Sequence, residues 1–131
     1  MSIVGIDQWR AMDDVVRMLT EYGHKRALYF AGPLGWRGAM TRLDAWVKLT
    51  RARSISSVTV RCKTWESTEA YARMNHILDS IGNQGGKLPT VVVTANDNQA
   101  VGVARACMST VFAFHVTSVW SGSMTCRRWT T

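Results

Sequence analysis

Thr90-Val91-Val92-Val93-Thr94-Ala95-Asn96-Asp97-Asn98-Gln99-Ala100-Val101-Gly102 decides how the rest of the chain is read. Its first six residues, four of them β-branched within Val91–Thr94 alone, have the composition of a strand buried on both faces. Asn96 and Asp97 then offer the short polar side chains that start helices. Beyond them Ala100, Val103 and Ala104 recur at spacings of three and four, the signature of a helix packing one face. The stretch therefore predicts a buried strand running straight into a helix that Asp97 caps and that ends near Cys107, with Leu88-Pro89 leading in.

The same unit recurs towards the N-terminus. Ser57 to Cys62 is a β-branched run, and Arg26 to Ala31 reads Arg-Ala-Leu-Tyr-Phe-Ala, a buried strand broken by Gly32-Pro33. Helices are predicted over Trp9–Tyr22 (Met12, Val15, Val16, Leu19 and Tyr22 inward), over Trp36–Lys48 (Ala39, Leu43, Trp46 and Val47 inward) and over Ser67–Ile81 (Tyr71, Met74, Ile77 and Leu78 inward). Met12, Met18, Met40 and Met74 fall at helical apolar positions and read as packing. Gly23 supplies a helix stop, and Gly82 to Lys87 reads as a surface loop. At the start, Ser2 to Ile6 reads as one more short apolar strand, closed by Asp7 as the cap of the next helix.

The resulting βαβαβαβα order is that of an α/β domain with a mainly parallel sheet. Such sheets bind ligands just beyond the carboxyl ends of their strands. The positions to watch are thus Gly32 to Arg42, Thr64-Trp65 and Asn96-Asp97.

Composition narrows the function. At 131 residues the chain holds one modest core, and 47% hydrophobic with 19% charged residues is ordinary for a folded domain. No apolar run approaches the ~18 residues of a membrane span, and Met-Ser-Ile-Val-Gly-Ile-Asp lacks the pattern of a secretory signal, so a cytoplasmic chain is expected. Cys62, Cys107 and Cys126 are odd in number and fit no metal spacing; they read as free thiols. The net charge of +7 invites a nucleic-acid reading. However, acids and bases are mixed through most of the chain, and the cluster Lys48, Arg51 and Arg53 reads as a helix end, where cations suit the dipole. Enzyme signatures are missing: there is no glycine-rich dinucleotide loop, phosphate loop, Cys-x-x-Cys or nucleophile elbow. Asp13 and Asp14 are neighbours that point apart on a helix, a poor acid–base pair. No catalytic, metal or cofactor residue is assigned.

Taken in order, the loops resemble one family. Gly23-His24-Lys25-Arg26 before a strand, Ala31-Gly32-Pro33-Leu34 after it, Arg42 ten residues beyond Gly32, Thr64-Trp65-Glu66-Ser67 in place of an Asp-Trp-Ser turn, and Pro89-Thr90 followed by Ala95-Asn96-Asp97-Asn98-Gln99-Ala100-Val101-Gly102 are similar to the LacI/GalR transcription regulators. The resemblance covers Val4 to about Cys107. It implies a three-layer αβα, periplasmic-binding-protein-like (type I) subdomain, the C-terminal one of two, incomplete and without the helix-turn-helix head. It further implies a small-molecule effector, a sugar by family, lying between two subdomains. Arg42 would fix hydroxyls or a carboxylate with its forked donors, Trp65 would cover the apolar face of a sugar ring, and Asn96 would donate and accept at once. Asp97 and Trp36 stand at the same rim and complete the candidate ligand-binding set.

Plainer roles stand beside these. Arg42 can serve as a structural ion-pair partner of Asp44 or Asp97, Trp65 and Trp36 can cover core, Asn96 can shape its turn, and His24 can bond a backbone carbonyl. Partners implied by the resemblance are a homodimer mate and DNA, the latter only through a head domain. A transport-type sugar-binding protein of the same fold, or a truncated product with no independent activity, are the alternatives.

Residues 1–107 and 108–131 read as two regions. Met108 to Thr131 departs from the family: it has no acid, no clear period and three Ser/Thr-rich patches. Read from the third base of the Met108 codon, a permitted translation is Glu-His-Gly-Leu-Arg-Val-Pro-Arg-Asp-Val-Ser-Val-Val-Gly-Phe-Asp-Asp-Val-Pro-Ala-Val-Asp-His. That is the family's own continuation in order, and the fixed codons of Trp120, Met124 and Trp129 fit it. The tail is accordingly expected to be frameshifted. Within it Val111 to Val116 is β-branched and aromatic enough to pair as an edge strand, and an exposed apolar edge invites association.

Overall fold

The computed structural model describes residues 3–33, 35–84, 89–108, 114–119 and 124–127. Along the chain these form α1 (Ile3–Glu21), β1 (Arg26–Ala31), α2 (Arg37–Ala52), β2 (Ser56–Arg61), α3 (Ser67–Gln84), β3 (Val91–Thr94), α4 (Asp97–Cys107), β4 (Phe114–Ser118) and β5 (Met124–Arg127). The strands make one sheet in the order β2-β1-β3-β4-β5. The first four are parallel, with Tyr29 opposite both Thr59 and Val93 and Val93 opposite Thr117; β5 returns antiparallel to β4.

Side chains leave a strand alternately to its two faces, and β1 shows what that does. Ala27, Tyr29 and Ala31 join Val91 and Val93 under α1 and α2, where Met12, Val15, Val16, Leu19, Ala45 and Trp46 close the first half of the core. Leu28 and Phe30 join Val92 and Val116 under α3 and α4, where Ala70, Met74, Leu78, Val103, Ala106 and Cys107 close the second. The result is the expected αβα sandwich. Trp46 stacks on Tyr29 with ring centres 5.0 Å apart, and its Nε1 donates to Ser57 Oγ at 3.1 Å. Gly23 takes φ +80° at the end of α1, a conformation that other residues adopt only with strain. Gly102 is required for another reason: a Cβ there would overlap the Ser67 carbonyl oxygen, so its absence lets α4 lie against α3.

Several expectations change. Ser2 to Ile6 is not a strand, since α1 already begins at Ile3, and Asp7 lies inside that helix instead of capping it. A lone strand needs a neighbour for its backbone bonds, whereas lengthening an existing helix gains one bond per residue. Tyr22, Met40, Val47 and Tyr71 are exposed, because each sits at the margin of its helical stripe; Ala45 and Arg42 take the inward positions in α2. α3 continues through Gln84, so the loop predicted from Gly82 is helix for its first three residues, and 85–87 lie outside the described residues. The tail strand runs Phe114–Ser118 and is internal, the sheet edge there being β5. Residues 111–113 of the predicted edge strand lie outside the described residues, as does the Cys126 side chain. Cys62 and Cys107 are buried free thiols, and burial pushes each up to about 11.

Candidate functional site at the carboxyl ends of the strands

β1, β2 and β3 all end on the same side of the sheet, and the segments leaving them converge. The chain leaving β1 passes Gly32, where a Cβ would overlap the Trp65 indole; glycine here lets the Trp65 ring approach the backbone closely. Trp65 follows β2. Its ring meets Trp36 edge-on at 6.5 Å, and the Arg42 guanidinium carbon stands over it at 5.3 Å from the centroid. Arg42 projects from the second turn of α2 and is only 7% exposed. Its Nη1 donates to Oε1 of Gln8, 3.0 Å away on α1. Burial pulls the guanidinium below its ordinary value, while the neighbouring Tyr29 opposes that; burial in turn drives the Tyr29 phenol well up, with Arg42 opposing.

Of the two acids considered as its partners, Asp44 pairs with Lys48 at 3.2 Å, and the Asp97 carboxylate accepts from the Ser118 hydroxyl. The buried guanidinium thus donates to the neutral amide of Gln8 and lies over an indole at this end of the sheet.

After β3, Asn96 rather than Asp97 caps α4. Asn96 has the extended backbone of a cap (φ −147°, ψ 172°), and its Oδ1 accepts from the Gln99 amide at 2.9 Å. Its Nδ2 donates to the Trp65 carbonyl at 3.4 Å, tying the loop after β2 to that after β3. Asp97 is the first helical residue, exposed, where a carboxylate suits the positive helix end. Trp36 is 63% exposed, just before α2. Thus Arg42, Trp65 and Trp36 form one group, Asn96 joins it through the Trp65 carbonyl, and Asp97 faces Ser118 at the end of β4. His24 lies at the opposite end of β1, where its Nδ1 is 2.7 Å from Thr90 Oγ1, a side chain rather than the backbone carbonyl expected.

Among the described residues no three His, Cys, Asp or Glu come together in a way that would hold a metal ion. No helix among them is long and apolar enough to cross a membrane.

No family model matches the chain. Over 91 residues it is 30% identical to the lactose operon repressor of Escherichia coli (strain K12), a match covering 70% of this chain and 24% of the repressor. A solved dimeric lac repressor with a C-terminal deletion overlays with a TM-score of 0.72 at 26% identity, over 83% of this chain and 40% of that one. A sugar-binding LacI-family regulator from Enterococcus faecalis shares the fold, with a TM-score of 0.70 at 21% identity over 81% and 38% of the two chains. By sequence and by fold the chain is similar to the effector-binding part of LacI-family regulators.

The chain spans about a quarter of the curated repressor it matches, and the proteins it resembles are transcription regulators rather than enzymes. Residues outside the candidate ligand set also build the site. Gln99, fully buried, accepts from the Ala95 amide at 3.0 Å and donates to the Ala31 carbonyl at 3.3 Å, pinning the ends of β1 and β3 together. Glu69 accepts from the amides of Lys63 and Thr64, from the Thr64 hydroxyl and from Arg73, and so organises the turn that carries Trp65. Burial works against the Glu69 charge, but the Lys63 amide, Arg73 and both Thr64 donors overrule it and hold the carboxyl down to about 2. Gln8, Gln99 and Glu69 escaped the sequence reading because each acts through a partner distant in sequence or off the apolar stripe. The Thr at position 64, where the family turn carries an acid, is the one signal that pointed towards Glu69.

Proposed function

We propose that the chain is the ligand-sensing C-terminal subdomain of a LacI-type regulator and supplies half of a sugar site. Arg42 donates to ring hydroxyls, Trp65 covers the apolar face of the ring, Trp36 and Asp97 line the rim, and Asn96 contributes the remaining valences of its amide. The observation that carries this reading is the buried Arg42 lying over Trp65 beside Gly32. In the working regulator the other half of the site comes from the second subdomain, and DNA is bound through a separate head. Sensing then requires that the two subdomains make different contacts with the effector in two states. A cytoplasmic homodimer is part of the same reading, supported by the dimeric lac repressor relative.

Titration calorimetry with a panel of mono- and disaccharides tests the site. One sugar gives saturable heat with the native chain and at least about a tenfold weaker response with Arg42→Ala, as loss of a forked donor predicts. Equal binding by native and Arg42→Ala chains, both folded by circular dichroism, sinks the assignment.

A second reading concerns the boundary at residue 107. The acid-free tail, and the family continuation encoded one reading frame away, support a frameshift near Cys107 or Met108 in the gene or its sequencing. The shifted translation would remove the tail's two arginine-derived charges and add a net acidic segment, bringing the +7 close to neutrality. Resequencing the coding DNA tests this, and a confirmed frame with no shift between codons 100 and 115 refutes it.

A further inference from the structure

A second groove lies away from the strand ends that carry Arg42 and Trp65. It measures about 760 Å³ and runs between β2 and the outer flank of α3, floored by Leu28, Val58, Val60 and Ile77. α3 turns Ala70, Met74 and Leu78 onto β1 and β3 and leaves β2 uncovered: Val58 is 60% exposed, although it sits mid-strand beside buried Leu28. β2 is also an outermost strand of the sheet. Its Ser56 and the following Cys62 donate their amides inward, to the carbonyls of Lys25 and Ala31. Backbone groups alternate along a strand, so those of Ser57, Thr59 and Arg61 turn outward at the edge. Within β2, Ser56 to Val60 carries no charge and no proline, the devices that ordinarily guard such an edge.

The charge of the segment that carries this edge has one sign. Residues 45–65 contain five Lys or Arg and no Asp or Glu. Exposed Arg51 and Arg53 precede β2, exposed Arg61 and Lys63 follow, and His76 stands on the groove's far wall beside Arg73, whose charge Glu69 pairs. Such a field repels a second copy of a +7 chain at the same edge. It suits an acidic occupant. The aliphatic floor selects further, since a nucleic acid strand finds no aromatic platform there, whereas alternate side chains of a strand would fit one by one.

We propose that β2 and its groove receive an extended, acidic segment of a partner protein, with apolar and carboxylate side chains alternating, which adds to the sheet as a further strand. Main-chain bonds to Ser57, Thr59 and Arg61 hold it, its apolar side chains seat on Val58 and Val60, and its carboxylates, on the opposite face of the added strand, meet Arg61.

Fluorescence anisotropy with a labelled hexapeptide alternating Glu and Val tests this on the full chain. Saturable binding is expected. Replacing Glu by Lys, or one central residue by Pro, weakens it at least about tenfold, through charge in one case and a lost strand donor in the other. Val58→Lys separates seating from charge: it adds a cation at an exposed position, so simple attraction to a polyanion predicts tighter binding. A filled groove predicts binding at least about fivefold weaker. The native chain also gains protection of the Thr59 amide against hydrogen exchange on adding peptide. The proposal is overturned by no saturable binding with the folded chain, or by equal affinity for the Pro-interrupted peptide or for a single-stranded oligonucleotide. Tighter binding by Val58→Lys would overturn it as well.

Discussion

From Arg26 to Cys107 the fold turns on glycine contacts, caps and buried polar pairs, whereas β4 joins through its ladder, with Val116 and Val119 in the core and Ser118 on Asp97. The first region places Gly32 under Trp65, Gly102 under Ser67, Asn96 on Gln99 and Glu69 on Thr64, each a pairing that one substitution would break. In the tail, β4 completes the parallel register beside β3, with His115 opposite Val91 and Ser118 opposite Thr94, and β5 folds back upon it. A β-branched run next to an open sheet edge needs little else to pair, because the ladder bonds belong to every residue alike. Forming a strand is therefore weak testimony that a segment was selected for this place. Forming a cap, a glycine contact and a buried polar pair is stronger.

The most damaging test of that contrast is Gly102→Val. Its side chain must displace the Ser67 backbone, which no rotamer change relieves, and α3 must part from α4. The expected loss is about 4 kcal/mol, enough to abolish cooperative unfolding in a denaturant titration. A variant as stable as the parent would mean that the α3–α4 contact is no more specific than the tail's pairing.

Glu69→Gln comes next. The Glu69 carboxyl is held down to about 2, so its stabilisation is fully present above the ordinary carboxylate value near pH 4.5 and is lost as pH falls towards 2. With a side chain 19% exposed, the group contributes about 2 kcal/mol. The amide variant should lower the urea midpoint at neutral pH and flatten the stability profile between pH 4.5 and 2. An unchanged acid profile would show that the turn carrying Trp65 does not depend on this carboxylate.

What was legible in the sequence follows the same division. Arg26 to Ala31 is the observed strand residue for residue, and Val91–Thr94 lies inside the predicted run, because periodicity reports burial. The convergence of Arg42, Trp65 and Asn96 was foreseeable once strand ends were known to gather on one side. The choice between Asn96 and Asp97 as cap was not, since both are good caps and only the backbone at Asn96 selects it. Gln8 and Gln99 are polar residues with no period to announce them, and their partners lie 34 and 68 residues away. Ser2 to Ile6 misled because a five-residue apolar run suits either a strand or a helix's first turn.

The smallest expected effect probes the joint between the two regions. His24, beside Thr90, meets His115 of β4 edge-on, with ring centres 4.8 Å apart. Burial lowers the His24 pKa, and the nearness of His115 lowers it further. A histidine whose folded value is depressed contributes stability that is full above its unfolded value near 6.5 and declines as pH falls through the folded value. The chain should thus lose a little thermal stability on mild acidification, less than Glu69 accounts for at lower pH. His115→Gln removes only the repulsive part, so its melting temperature should fall less steeply below pH 6.5, while His24→Gln should flatten that window altogether. If β4 were not seated on β3, His115→Gln would leave the slope unchanged and only His24→Gln would alter it. A tail that pairs by backbone alone would still bring these two rings together, and the difference between the two slopes measures how firmly it does so.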